Sequence, residues 1–302
     1  MGSFREGRPA VPWSGTVDAT IIRIAPRPAY SRSVLWRLGT MGFGYPAWAG
    51  TFYPSGLDRS QWLSFYARHF DSIELDTTFH AMPSRDRVRH WGRQVGPEFR
   101  FAIKTPRTIT HDSPLVDDSI RSMHEFVDVA RELETQLAFV LIQFGPGTSI
   151  STLESMRRFL ESLPRRDVTY AVEFRHPSWF DQLDTTGTML GELGLTLVAA
   201  EYDTSPRPLV RTSEHLYLRL IGRHDRYPAM NHEVYDPTRQ LQSWHRQIIR
   251  ADRASPVEQS WVLFNNDYAG YSIATAQRFG RMAGVDWPKP MVNESPGLFD
   301  DA

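Results

Sequence analysis

Within seven consecutive positions, Glu173-Phe174-Arg175-His176-Pro177-Ser178-Trp179, the chain sets a carboxylate, a guanidinium, an imidazole and an indole. A carboxylate there can serve as general base or accept a substrate hydroxyl, the guanidinium can hold an anion, and Trp179 can cover a ring. Earlier, Glu74 and Asp76 alternate with Ile73 and Leu75. In a strand that alternation puts the acids on one face and the apolar pair on the other. The same parity separates Lys104 from Phe101 and Ile103, Gln143 from Ile142 and Phe144, Tyr217 and Arg219 from Leu218 and Leu220, and Asn265 from Phe264. Charges facing inward must pair, because an isolated buried charge costs more than a single contact returns. Glu74, Asp76 and Glu173 are therefore expected opposite Lys104, Arg175 and Arg219.

Lys104 carries the sharpest chemical signal. Of the 34 basic residues only Lys104 and Lys289 are lysines. Arginine stays protonated near neutrality, whereas a desolvated lysine can lose its proton, so a lysine kept at a strand end suits chemistry that arginine cannot perform. Glu74, Lys104, Glu173 and His111 are the expected catalytic groups. Asp76, Gln143, Arg175, Trp179, Arg219, Asn265 and Asn266 are the expected substrate contacts. Each has a bland counterpart: an ion-pair network that only stabilises the centre of the fold, an aromatic anchor at Trp179, a backbone-capping role for His111, and an Asx turn at Asn265-Asn266-Asp267. The parity of His176 puts it on the opposite face from Glu173, which favours loop packing.

The elements that would position these groups are short β-rich runs alternating with helical patterns, the mark of successive βα units. Strands are expected over Leu38 to Gly42, Ser72 to Thr77, Arg100 to Thr105, Ala138 to Phe144, Thr169 to Phe174, Thr196 to Glu201, Leu216 to Ile221 and Ser260 to Asn265. Helices are expected over Ser60 to His69, Ser84 to Val95, Ile120 to Leu133, Leu153 to Leu163, Thr186 to Leu193, Pro237 to Arg250 and Ser272 to Met282. The fold class that follows is α/β, a (β/α)8 TIM barrel, with an incomplete helix between strands six and seven. An open doubly wound sheet is the alternative, but it would bury both faces in apolar side chains, and polar residues recur here on one face. The polar positions fall late in their strands, at the end where such barrels build active sites.

Residues 1–33 read as a flexible leader, 34–284 as the barrel and 285–302 as an exposed tail. With no run of eighteen apolar residues and no leading apolar segment ahead of a cleavage site, a soluble, cytoplasmic chain without membrane contact is expected. The chain has no cysteine, so disulfides, thiolate metal sites and a cysteine nucleophile are excluded. A formal net charge of -1 gives no overall footprint for a phosphate backbone. No Walker loop, dinucleotide glycine fingerprint or Gly-x-Ser-x-Gly elbow occurs. No cofactor is expected; a divalent metal is the lesser reading, because three inward bases would repel it.

The motifs resemble the YecE-like family, proteins carrying domain of unknown function 72, over about residues 38 to 280. The resemblance rests on Gly39 with Tyr45, Trp48, Gly50 and Phe52-Tyr53-Pro54; on Glu74 through Phe79 with Pro83-Ser84; on Phe99 through Pro106 with Thr110-His111; on Val172 through Trp179; on Tyr217 through Leu220 with Gly222-Arg223; and on Phe264 through Asp267 with Gly270. It implies a barrel related in shape to endonuclease IV and xylose-isomerase-like enzymes, and no assigned reaction. The chain departs from the pattern at Met41-Gly42-Phe43-Gly44, where many relatives have Ser-Gly-Trp-Ser, at His80, where Tyr is frequent, and at Ile221, where His is frequent.

The expected function is acid/base chemistry on a small polar ligand, sugar-like or phosphorylated, at the barrel mouth, with Glu74 and Glu173 managing protons and Arg175 and Arg219 binding negative charge. Lys104 would be an acid or base, or an amine that traps a carbonyl. Two readings compete: a nucleic-acid-binding or endonuclease IV-like repair protein, and a non-catalytic ligand sensor.

Overall fold

The computed structural model describes residues 34–112, 115–202, 206–223 and 227–285. Eight strands, β1 (Trp36–Thr40), β2 (Ser72–Leu75), β3 (Arg100–Lys104), β4 (Leu137–Phe144), β5 (Tyr170–Phe174), β6 (Thr196–Glu201), β7 (His215–Leu220) and β8 (Gln259–Phe264), pair in parallel in the order β1-β8-β7-β6-β5-β4-β3-β2. The two ends of that order meet. A parallel bridge joins Met41 to Glu74, and the Gly42 amide donates to the Glu74 carbonyl at 2.8 Å, so the sheet closes on itself. Closure needs Gly39: a Cβ there would lie 2.2 Å from the carbonyl oxygen of Ser72 on β2.

Helices α1 (Trp62–Tyr66), α2 (Arg85–Arg93), α3 (Asp117–Ala130), α4 (Leu153–Glu161), α5 (Ser178–Asp181), α6 (Leu183–Glu192), α7 (Thr238–Ala254), α8 (Asn266–Ala269) and α9 (Ser272–Ala283) fill the connections. Between β6 and β7 the described residues form no helix; the return is fastened instead by an antiparallel bridge from Arg207 to Ala200. Local sequence explains the helix ends. Ser84 accepts from the Arg87 amide at 3.2 Å to cap α2, Asp86 sits in its first turn and Arg93 in its last, matching the helix dipole. Val88 and Trp91 are the residues α2 buries.

Every strand is covered on both faces, as parallel barrels require. Outward side chains such as Ile73, Phe101, Ile142, Val172 and Leu218 pack with the helices in one apolar layer. Inward side chains form a second, smaller core of Met41, Ala102, Phe139, Leu141, Ala171, Val198, Ala200, Tyr217, Trp261 and Leu263. Above that plug, toward the carboxyl ends of the strands, the lumen turns polar. Residues 1–33 and 286–302, most of the expected leader and tail, lie outside the described residues. Val285, placed in the expected tail, packs on the core and bonds its amide to the Gly280 carbonyl at 2.9 Å. Among the described residues no helix is long and apolar enough to cross a membrane.

Candidate functional site

Arg219, near the end of β7, reaches across the lumen to two acids. Its Nη2 donates to Glu74 Oε1 at 2.6 Å and its Nε to Glu74 Oε2 at 3.0 Å, while Nη1 contacts Glu173 Oε2. Tyr217 donates to Glu74 Oε2 at 2.9 Å, and the Met41 sulfur lies 3.4 Å from Arg219 Nη2. The other oxygen of Glu173 accepts from Arg175 Nε at 2.7 Å and from the Tyr202 hydroxyl. Arg175 also donates through Nη2 to Gln143 Oε1 at 3.2 Å, and stacks its guanidinium 4.4 Å from the Tyr202 ring centre. Register places these groups at one level: Gln143 stands beside Glu173 on neighbouring strands. Sequence parity had put Glu74, Gln143, Glu173, Arg175, Tyr217 and Arg219 on inward faces, and the structure brings all of them together.

Electrostatics separates their tasks. Burial alone would raise the carboxyl of Glu173, but the guanidiniums of Arg219 and Arg175 outweigh it and hold the group at about 2. Such a carboxylate stays ionised and is a weak base. Asp76 behaves oppositely. It lies just past β2, burial and the neighbouring Glu74 carboxylate push its pKa up, and Lys104 and Arg219 only partly offset this. No side-chain donor reaches Asp76 among the described residues.

Lys104 ends β3 and is 8% exposed. Its Nζ sits 3.8 Å from the centre of the Phe79 ring and has no hydrogen-bond acceptor among the described residues. Burial first, and then the Arg219 guanidinium, lower its pKa to about 8. Beside it, His111 packs edge-on to Phe79 with ring centres 5.0 Å apart, and its Nδ1 pairs with the Thr110 hydroxyl at 2.8 Å. Burial and then the Lys104 charge push its pKa down, so the imidazole is neutral near physiological pH.

Two expected ligand contacts, Trp179 and Asn266, require correction. Trp179 is fully buried in the outer apolar layer, stacked 4.1 Å from Phe174, with Nε1 donating to the Thr148 carbonyl at 2.8 Å; it supports β5 from behind and cannot cover a ligand in the lumen. Asn266 is fully buried, and its Oδ1 accepts from the Ser272 hydroxyl at 2.7 Å, the Ser272 amide at 3.0 Å and Trp48 Nε1 at 3.3 Å. That oxygen ties α8 to α9. Asn265 is half-buried and accepts from the Asp267 amide at 3.0 Å, an Asx cap for α8. His176 bonds the Ser178 hydroxyl at 2.8 Å within the loop after β5.

Two contributors escaped the sequence reading. Tyr202 continues the inward parity of Val198 and Ala200 one step beyond β6, so extending the alternation would have found it. Phe79 lies in the turn after β2, where no periodicity points to a site. Among the described residues no group of three or more His, Asp or Glu is arranged to hold a metal ion. A cavity of about 600 Å³ lies at the opposite, amino-terminal end, lined by Trp36, Leu38, His69, Phe70, Phe99 and Val285 among others. It adjoins both ends of the described chain and contains none of the charged lumen groups.

The family model for DUF72, described as "Protein of unknown function DUF72", matches residues 37–297. UPF0759 protein YecE of Escherichia coli is 35% identical over 120 residues, which cover 39% of this chain and 43% of that protein. UPF0759 protein YunF of Bacillus subtilis is 26% identical over 140 residues, covering 43% of the chain and 48% of the relative. The aligned part thus spans less than half the length of these curated relatives. The crystal structure of a DUF72 family protein from Thermotoga maritima superimposes with a TM-score of 0.67 at 26% identity, covering 83% of this chain and 99% of the other. A DUF72 family protein from Enterococcus faecalis gives 0.64 at 19% identity over 84% of this chain and 99% of its own, a likeness of fold.

Proposed function

The chain belongs to the DUF72 family, and from that premise and the geometry of the barrel mouth we propose that it is an enzyme performing acid/base chemistry on a small polar ligand. The observation that carries this reading is the contrast between Lys104 and Asp76. They interact electrostatically at the strand ends, the lysine pushed down to about 8 and the acid pushed up. Perturbed titratable groups that face one another in a buried site are candidates for acid and base roles, and burial here disfavours the charged form of both. Glu74 and Glu173 then have a different task from the proton transfer their positions first suggested. They hold the Arg219 fork in place and leave Lys104 without a direct carboxylate partner.

Arg175 supplies the ligand contact. Its side chain is 24% exposed, and Nη1 has no acceptor among the described residues, so it can receive a carboxylate or phosphate. Gln143, a quarter turn of the barrel from Glu74, orients that guanidinium through its amide oxygen. His111, neutral beside Lys104, is a second proton relay.

The test is a thermal-shift screen of sugar phosphates and small oxo acids against the wild type and Arg175→Met. A ligand that raises the Tm of the wild type but not of the variant supports the reading. Stabilisation that survives Arg175→Met, Asp76→Asn and Lys104→Met alike would place binding away from the mouth and remove it. Nucleic acid is the competing partner; a salt-dependent DNA complex weakened by Arg175→Met would favour that assignment instead.

A further inference from the structure

We infer that Lys104 is a nucleophile that condenses with a small carbonyl compound bearing an anionic group, forming an imine at the barrel mouth. This rests on the acid/base reading of the same site and narrows it to a substrate class. A lysine that served only to balance charge would lie against a carboxylate. Here Glu74 is taken up by Arg219, and Glu173 by Arg219 and Arg175, while the third carboxyl near it, Asp76, feels the Lys104 charge but makes no hydrogen bond or ion pair with it among the described residues. The Lys104 amine is left over an aromatic face, Phe79, at 3.8 Å, a contact that leaves its lone pair uncommitted once the proton is lost. The composition agrees. A chain that uses lysine at two positions among 34 basic residues keeps one of them where the side chain is buried among arginines. Arginine would meet a structural requirement for positive charge at that position, but it has no nucleophilic amine.

The step balances with the groups present. The neutral Lys104 Nζ adds to the carbonyl carbon; the C=O π pair moves to oxygen, which takes a proton, giving a carbinolamine. Nitrogen gives up one proton as oxygen takes one, so the carbinolamine is neutral; its hydroxyl departs as water after protonation, and the nitrogen lone pair closes a C=N bond as an iminium that keeps one N–H. Asp76, whose pKa burial and the Glu74 carboxylate push up, is the proton source for the leaving hydroxyl, and His111 relays the proton from nitrogen to the former carbonyl oxygen. The anionic arm of the substrate is received by the open edge of Arg175. The resulting iminium is an electron sink, suited to breaking a bond next to the former carbonyl carbon.

The low lysine count makes the test unusually direct. The full-length protein is incubated near neutral pH with dihydroxyacetone phosphate or pyruvate and sodium cyanoborohydride, and adducts are located by peptide mass mapping. Reductive trapping adds the mass of the probe less one oxygen atom. Labelling is expected at Lys104 in preference to Lys289 by more than about tenfold, because an amine with a lowered pKa presents far more free base. Uncharged dihydroxyacetone should label more slowly than its phosphate, and Arg175→Met should erase that difference. Equal labelling of the two lysines, or labelling of Lys289 alone, overturns the imine. If a screened ligand stabilises the wild type but not Lys104→Met while trapping fails, the imine is wrong and the acid/base reading stands. If neither occurs, both fall.

Discussion

Arg219 and Glu74 form a two-point ion pair across the barrel lumen, with neither side chain more than 4% exposed. Removing one member of such a pair strands the other charge in a low-dielectric interior. Arg219→Met, which leaves both Glu74 and Glu173 short of a partner, should lower stability by about 3–5 kcal/mol in urea unfolding. Arg219→Lys should recover only part of this, since an ammonium cannot reproduce the fork that meets Glu74 at two points. A Met variant as stable as the wild type would mean that the lumen is wetter than the geometry implies.

Acid sensitivity follows from Glu173. Its pKa is about 2 in the folded protein against an ordinary 4.5. Between those values the unfolded chain binds more protons, so this contribution is fully present above about 4.5 and drains away as pH falls through about 2. Glu173→Gln should be less stable than the wild type at neutral pH and should show a flatter loss over that acid window. Urea midpoints measured across the window decide it; parallel curves for the two proteins would assign the acid limb to other groups.

Lys104 should cost stability at neutral pH, where Glu173 contributes it. Its pKa falls from 10.5 to about 8 on folding, so the unfolded chain binds more protons between these values and stability rises with pH across them. Lys104→Met should therefore be more stable than the wild type near neutral pH by roughly 1–3 kcal/mol. The advantage should shrink as pH rises through 8 to 10.5. Stability set aside for function is expected at a working residue. A destabilised Met variant would show instead that the ammonium helps hold the barrel together.

Gly39 tests how the barrel closes. Because a Cβ there would lie 2.2 Å from a backbone oxygen of β2, neither side can yield without moving a strand. Gly39→Ala should cost at least about 2 kcal/mol, read as a lowered Tm. A change within error would mean that β1 and β2 can part at that level.

The alternation of apolar and polar residues made most of this legible before any coordinates. A one-residue shift in a strand flips every side chain, so parity is a strong constraint where both faces are buried. This is why Glu74, Glu173, Arg175 and Arg219 could be aimed into one lumen from sequence. Strand β6 was bounded to the residue, whereas β1 begins two residues earlier than expected, at Trp36, because Trp36 packs outward on Phe279 of α9. Helix α1 is shorter than its pattern suggests, since Asp58 caps a tighter turn ahead of it. The reading failed where polar type was taken for ligand contact. The fold itself consumes the Oδ1 of Asn266 and the Nε1 of Trp179. Nor could sequence say which acids would be neutralised by which bases. That depends on three-dimensional distances across the lumen, and it decides that burial prevails at Asp76 and Lys104, whereas at Glu173 the two guanidiniums together outweigh it.

The most direct measurement of the central claim is an NMR titration of protein labelled with ¹³C at the lysine ε-carbons. Two lysines give two signals, and Lys104→Arg identifies one of them. The Lys104 signal should titrate at about 8, well below the ordinary lysine value of about 10.4. If both signals titrate together at that ordinary value, Lys104 is a solvated charge and the chemistry assigned to it is contradicted.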